Sequence, residues 1–480
     1  MGPNCKTCGE NGTNPINTGW HGNKYQRETD YVGEGPFPLR FERFYNSWQQ
    51  AIPLLNPYNL QKGAWTHTFS RRIATATLKN SATDTNPQTI AVVYRPDGRA
   101  LIYDKSGANW VSSLPEITER LTQLADGSWQ FFNNDDETET YNATGTLLSL
   151  RNRAGLTQTL TYTATGITVT HSLGRSLTID LAGNAVSRLV TPNNDIYTYN
   201  GITSVTYPDT TTRSYEYTGN TALTGIVDAY GVRIAAWAYD GFGRAYSSEH
   251  AGGTDKYVIT YSGGITAAGA PVSITDPLGA VRTHTYSGNN DQFRGKIIKP
   301  ASASLACSTC PGGGTASTTY DANGFVASKT DFKGNVTNYS YNARGLEQSR
   351  TEAFGTPQAR TITTAWHPNF RLPTNISEPG RSTDFVYDAI NGALLTKTVT
   401  DTAMLKKRTW TYTYNTNGQV LTVDAPRTDV VDTATYTYDA QGNVATYTKA
   451  LNQVTRYTLY DAHGRLQSMT DPNGLITAMT

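Results

Sequence analysis

Tyr438-Asp439-Ala440-Gln441-Gly442-Asn443-Val444 returns 22 residues later as Tyr460-Asp461-Ala462-His463-Gly464-Arg465-Leu466. The same unit stands at Tyr320-Asp321-Ala322-Asn323-Gly324 and again at Tyr341-Asn342-Ala343-Arg344-Gly345. Further copies begin at Tyr239-Asp240, Tyr387-Asp388 and Tyr414-Asn415, and a degenerate one at Tyr141-Asn142. Between them lies a second marker, as in Thr275-Asp276-Pro277-Leu278-Gly279, Thr330-Asp331-Phe332-Lys333-Gly334 and Thr470-Asp471-Pro472-Asn473-Gly474. Asp or Asn opens a turn by bonding the backbone ahead of it, and Gly supplies the positive φ that closes it. Pro277 and Pro472 suit the first central turn position. Two turns in about 22 residues leave two runs of six or seven, each a strand of roughly 20 Å.

Those runs alternate, as in Thr411-Tyr412-Thr413-Tyr414 and Thr435-Tyr436-Thr437-Tyr438. Period two puts the tyrosine rings on one face and the threonines on the other. Each repeat is therefore a β-hairpin paired edge to edge with the next. From Tyr141 to Thr480 there is room for about fifteen repeats, or about thirty strands. An open twisted sheet rarely exceeds about ten strands without curling. The strip is expected to wind into a spiral around a hollow. The fold class is all-β: a long curled sheet of hairpins forming part of a shell.

Composition agrees. Thirty Tyr and 43 Gly suit strands and turns, and aromatics at 11% exclude a disordered chain. Forty Lys and Arg against 39 Asp and Glu give a net charge of +1, which disfavours nucleic acid as a partner. No apolar run is long enough for a transmembrane helix, and no secretory signal peptide is visible in the polar opening Met1-Gly2-Pro3-Asn4-Cys5, so export is expected to use another route or a signal outside this chain.

The alternation of Tyr-Asp-x-x-Gly-Arg-Leu with Thr-Asp-Pro-x-Gly resembles the RHS/YD-repeat family, found in bacterial polymorphic toxins, wall-associated proteins and teneurins. Asn14-Pro15-Ile16-Asn17, Gly22-Asn23-Lys24-Tyr25-Gln26, Arg43-Phe44-Tyr45-Asn46-Ser47 and Gly63-Ala64-Trp65-Thr66-His67 resemble the leading domain that precedes such repeats. The resemblance implies three parts: a tail over 1–13, an RHS-type N-terminal β domain over 14–135, and degenerate YD repeats over 136–480. It implies a secreted or cell-surface shell that encapsulates or delivers a C-terminal effector, commonly a toxin, absent from this chain. An extracellular adhesin that binds carbohydrate through its aromatic rows is the alternative, with delivery machinery or a cell-surface glycan as partner. Asp471-Pro472-Asn473-Gly474-Leu475 matches the end of the family's self-cleaving core motif but stands in ordinary repeat register without its flanks. The array reads as unfinished at Thr480. Its last return strand, 475–480, has no successor, so self-association through that open edge is expected.

Cys5-Lys6-Thr7-Cys8 and Cys307-Ser308-Thr309-Cys310 are the only cysteine pairs. If they meet, Cys5, Cys8, Cys307 and Cys310 make a four-thiolate site for zinc or a crosslink; local disulfides and free thiols are the rivals. Asn133-Asn134-Asp135-Asp136-Glu137-Thr138-Glu139 reads as a hairpin loop, with calcium as the rival reading. Glu116–Leu124 reads as part of a hairpin turning at Asp126-Gly127 rather than a short amphipathic helix. His463 reads as a turn residue. No nucleophile elbow, phosphate loop or metalloprotease helix occurs, so the chain is not expected to be an enzyme, and no cofactor beyond the zinc is expected.

Overall fold

The computed structural model describes residues 16–18, 22–47, 65–78, 87–183, 185–219, 221–263, 270–291, 295–306 and 314–479. Among them are forty-one strands and one 3-10 turn, Ala251–Gly253. Every ladder is antiparallel, and from Arg72–Leu78 to Ile476–Ala478 each strand pairs with the next in sequence. These strands thus form one long meander. No ladder joins its last described strand to its first.

The Asp-x-x-Gly turns are built as the sequence implies. Asp439 Oδ1 accepts the backbone N–H groups of Gln441 and Asn443, both within 2.9 Å, and Gly442 sits at φ 79°. Asp240, Asp276, Asp321 and Asp471 make the same pair of bonds. The extra residue shifts the register at each repeat tyrosine, as between Thr437 and Tyr438, which makes a bulge and sharpens the local twist. The hairpin at Asp126-Gly127 joins Arg120–Gln123 to Trp129–Phe132.

Period two also holds. In Lys407–Tyr414 the threonines are exposed while Trp410, Tyr412 and Tyr414 are half-buried. Outward hydroxyls pair across strands, as Thr413 with Thr422 and Thr437 with Thr446, both at 2.7 Å. The inward tyrosines do more than pack. Most repeat tyrosines donate their hydroxyl to a carbonyl just past the preceding hairpin's turn: Tyr239 to Leu223, Tyr261 to Ala245, Tyr414 to Leu394, Tyr438 to Val420 and Tyr460 to Val444, at 2.6–2.9 Å. Trp366 takes the place of a tyrosine and donates to Glu347. The ring thus stitches one hairpin to the next. Changing Tyr414, Tyr438 and Tyr460 together to Phe is expected to cost about 0.5–1.5 kcal/mol per lost bond. Calorimetry would read this as a lower melting temperature with unchanged β content.

The strip begins as a tight coil and then widens. Its first strand, Arg72–Leu78, meets the strip again at the eighth strand, Leu147–Arg151. Ile73 donates to the Gly145 carbonyl at 2.9 Å, and Arg72 bridges Thr146. An eight-strand ring is just wide enough to be filled by side chains. Ile73, Val93, Tyr103, Phe131, Tyr141 and Leu147 fill it, all almost fully buried. Later wraps are wider. Asp136 meets Arg371 across 235 residues, and Asp195 meets His463 across 268. Twenty-three strands lie between the last pair. At about 4.8 Å per strand that is a circumference of about 110 Å and a diameter near 35 Å.

Candidate functional site

The inner face of this spiral is the surface on which a function would act. A small separate sheet, Ile16–Asn17, Asn23–Val32, Arg40–Asn46 and Trp65–His67, lies inside it. Its residues reach strands of the spiral some 170–190 positions later. Arg43 is the centre. Its guanidinium forks onto both Asp30 oxygens, at 2.6 and 3.1 Å, and donates to the Tyr215 hydroxyl at 2.9 Å. Tyr199 donates to the same Asp30 carboxylate. The Trp65, Tyr199 and Tyr215 rings lie around the cation at 4.8–5.3 Å. Burial alone would disfavour the charged guanidinium, but Asp30 and the tyrosines outweigh it and hold its pKa above the ordinary arginine value.

Further contacts fix this plug. Tyr45 donates to the Thr221 carbonyl and accepts from the Leu223 N–H, and Arg213 pairs with Glu28 at 2.7 Å. The Lys24 ammonium is fully buried 4.0 Å over the Trp237 ring, bonded to the Tyr25 carbonyl and to Gln26. Burial lowers its pKa well below the lysine range, against the pull of Glu28. Where the plug ends, beside Ile16 and Thr18, a cavity of about 620 Å³ opens, lined also by Ile274, Arg282, His284 and Tyr339. Beyond it the inward rings are no longer covered. Tyr199, Tyr215 and Tyr286 are 4–8% exposed, whereas Tyr339, Tyr387, Tyr414 and Tyr438 are only half-buried. The same tyrosine face is thus filled in the first wrap and open in the second.

Successive wraps stack rim on rim. Turns at 133–137, 152–155, 172–175 and 191–195 of the first wrap meet turns of the second at 367–371, 388–392 and 415–418, 439–443, and 461–465. Arg175 donates to Asn443 at 2.7 Å and Arg153 to the Gly392 carbonyl. His463 does occupy a turn, but its ring is also buried between layers. Nε2 lies 2.6 Å from Asp195, Nδ1 faces the Tyr31 hydroxyl of the plug at 3.3 Å, and its carbonyl accepts from Glu34. A Cβ on Gly442 would stand 2.7 Å from Leu173 and 3.2 Å from Pro36, whereas one on Gly334 would meet nothing. Both glycines have positive φ. Gly334→Ala is therefore expected to cost about 1 kcal/mol in strain alone. Gly442→Ala adds the clash and is expected to lower the melting temperature by at least twice as much.

The acidic stretch is a hairpin turn. Asn133 Oδ1 accepts from Asp135 and Glu137, and Asp136 adopts φ 60°. Glu139 points inward and is paired with Arg71, Arg95 and Tyr141. No group of three potential metal ligands occurs among the described residues. Cys5, Cys8, Cys307 and Cys310 lie outside them.

The fold is thus a long spiral of Tyr-Asp β-hairpins around a plugged interior. A family model for the RHS repeat matches residues 438–476, so that stretch carries an RHS repeat. A second family model, a domain of unknown function called DUF6531, matches residues 13–103. No curated protein matches the chain. Similar solved structures include the TcdB2-TccC3-Cdc42 complex, at 13% identity and TM-score 0.43, over 94% of this chain and 23% of that one. TcdB2-TccC3 without its hypervariable C-terminal region gives 12% and 0.46, over 95% and 27%. A Photorhabdus luminescens Tc holotoxin pore gives 13% and 0.39, over 85% and 26%. The chain spans about a quarter of each of these. No helix among the described residues is long and apolar enough to cross a membrane.

Proposed function

We propose that the chain is the shell-forming part of a secreted or cell-surface RHS/YD-repeat protein whose interior holds a C-terminal effector for delivery. The role is structural rather than enzymatic. The observation that carries it is the change along the inner face: a side-chain-filled coil and a plug close one end, and uncovered aromatic rings line the wrap beyond. Residues 14–135 would seal the closed end and 136–480 would supply the wall. The test is protection. A protease-sensitive polypeptide fused after Thr480 should be cleaved far more slowly than the same polypeptide alone. Equal cleavage rates, with the wall intact by circular dichroism, would overturn the reading.

The four cysteines are proposed as one joint site. The reduced protein should then carry about one zinc per chain. Cys8→Ser and Cys307→Ser should each remove it. Mass spectrometry showing Cys5 linked to Cys8 and Cys307 to Cys310 would exclude a joint site.

A further inference from the structure

Hairpin turns such as those at Asp439 and Asn142 are opened by a side-chain oxygen that accepts the backbone N–H groups two and four residues ahead. Among the described residues, three turns are opened by histidine instead. His171 Nδ1 accepts the Leu173 N–H at 2.9 Å, and His67 Nδ1 accepts that of Phe69 at 3.3 Å. His367 Nδ1 accepts those of Asn369 and Phe370 at 3.2 and 3.1 Å. An N–H donor obliges Nδ1 to be the bare nitrogen of a neutral imidazole. Protonation turns that acceptor into a donor facing a donor. All three turns lie where layers join. In turn 171–175 the His171 ring faces Phe37 of the plug, centroids 6.3 Å apart, and Leu173 underlies Gly442 of the second wrap. Turn 367–371 grips the first wrap, where the Arg371 N–H donates to Asp136 at 2.9 Å, and Arg344 holds the turn's own carbonyls at His367 and Phe370. Turn 67–70 joins the plug's last strand, Trp65–His67, to the first strand of the spiral, Arg72–Leu78.

We propose that these three imidazoles form an acid-operated latch: neutral, they close the turns that hold wrap to wrap and plug to wall, and protonated, they release them. The latch rests on the turns and seams and not on the effector reading above. No carboxylate is bonded to any of the three rings among the described residues. Opposite His67 in the ladder stands Arg43, which is held by Asp30; nearby Glu42 pairs with Arg27 and Arg40, and Arg71 with Glu139. Around His171 are Arg175 of its own turn, Glu34 of the plug, whose carbonyl takes Arg175, and Asp439 of the turn above, whose oxygens serve that turn. Around His367 are Tyr387 and the arginines 120, 344 and 371, with Asp136 and Glu119. Burial lowers the His67 pKa from 6.5 to about 4. At His171, burial and Arg175 outweigh the Pro36 and Phe37 carbonyls and lower it too, and Nε2 is buried without a hydrogen bond. An imidazole depressed in the folded chain adds stability that is complete above the unfolded value and fades as pH falls through the folded one. At pH 5 His67 alone shifts the equilibrium about thirtyfold toward the open form. His463 works the other way. Its turn is opened by Asp461, and its Nε2 lies 2.6 Å from Asp195, with Tyr31 and Arg465 close by, so protonation tightens that contact.

The test replaces histidine by the residue that opens turns such as the one at Asn142. His171→Asn with His367→Asn keeps an acceptor in place at every pH. Amide hydrogen exchange of the unaltered chain is compared with that of the variant at the same pH, so intrinsic rates cancel. At pH 7.5 the two should protect residues 171–175 and 367–371 equally. At pH 5 the unaltered chain should exchange there roughly tenfold faster or more. Its melting temperature should also fall further between pH 7.5 and 5 than that of the variant. Equal protection at pH 5 would overturn the proposal. So would melting temperatures that fall in parallel, the result expected if His284, on the inner face beside Arg282, carries the acid response. His67→Asn repeats the comparison at the plug, where the acid-induced shift of Trp65 fluorescence should shrink; an undiminished shift counts against the latch there. If the double variant melts early at pH 7.5, His171→Asn and His367→Asn are compared singly, and each should restore protection at pH 5 in its own turn only.

Discussion

Arg43→Ala is expected to loosen the plug from the spiral wall and cost about 3–5 kcal/mol, the range for removing one partner of a buried ion pair. The loss falls on Asp30, whose side chain is fully buried and keeps only the Tyr199 hydroxyl among the partners that Arg43 bridges. Trp65, stacked 4.8 Å from the guanidinium, should report the change as a shifted fluorescence maximum. Arg43→Lys should recover little, because an ammonium can neither fork onto both carboxylate oxygens nor lie flat among three rings. Asp30→Ala with Arg43→Ala should be less damaging than the sum of the single changes, since no unpaired charge remains. A sum that adds fully would show that the two residues act separately and that Arg43 matters only through its packing.

What could be read from the chain follows from where the information lies. The Asp-x-x-Gly turns are local, so Asp439 and Gly442 declare their bonds within five residues. The Tyr and Thr faces follow from period two, which needs only neighbours. The tyrosine stitch is less visible. Its acceptor, such as the Val420 carbonyl for Tyr438, belongs to the previous hairpin and carries no side-chain signature. The plug falls within the leading domain expected over 14–135, but its contacts are hidden in the sequence, because Arg43 and Tyr215 are 172 residues apart. His463 looked interchangeable with the Gln or Asn of other turns. Its burial comes from the next layer of the spiral, 268 residues away at Asp195, and depends on how many strands complete a wrap. Glu139 was the nearest to being legible. It shares the inward face with Tyr141, and a charge on an aromatic face must be paired.

Glu139 carries the largest pH dependence expected of the wall. Burial pushes its pKa up, but the Arg71 and Arg95 guanidiniums, with hydrogen bonds from Arg95 and Tyr141, outweigh burial and hold it at about 2. The ordinary value is 4.5. A carboxyl depressed in the folded chain adds stability that is complete above the unfolded value and fades as pH falls through the folded one. The contribution is therefore full at neutral pH, shrinks below about 4.5 and is gone near 2. Over that window it amounts to roughly 3 kcal/mol. Glu139 ties Arg71, at the leading edge of the strip, to Arg95 and to the strand Thr138–Tyr141, so it bolts the eight-strand coil shut. Glu139→Gln should keep the shape, lose stability at pH 7 and flatten the pH dependence between 4.5 and 2. Denaturant melts of both proteins across that range would measure it. Parallel curves, offset by a constant amount at every pH, would show that the carboxylate charge does not hold the coil and that only its hydrogen bonds do.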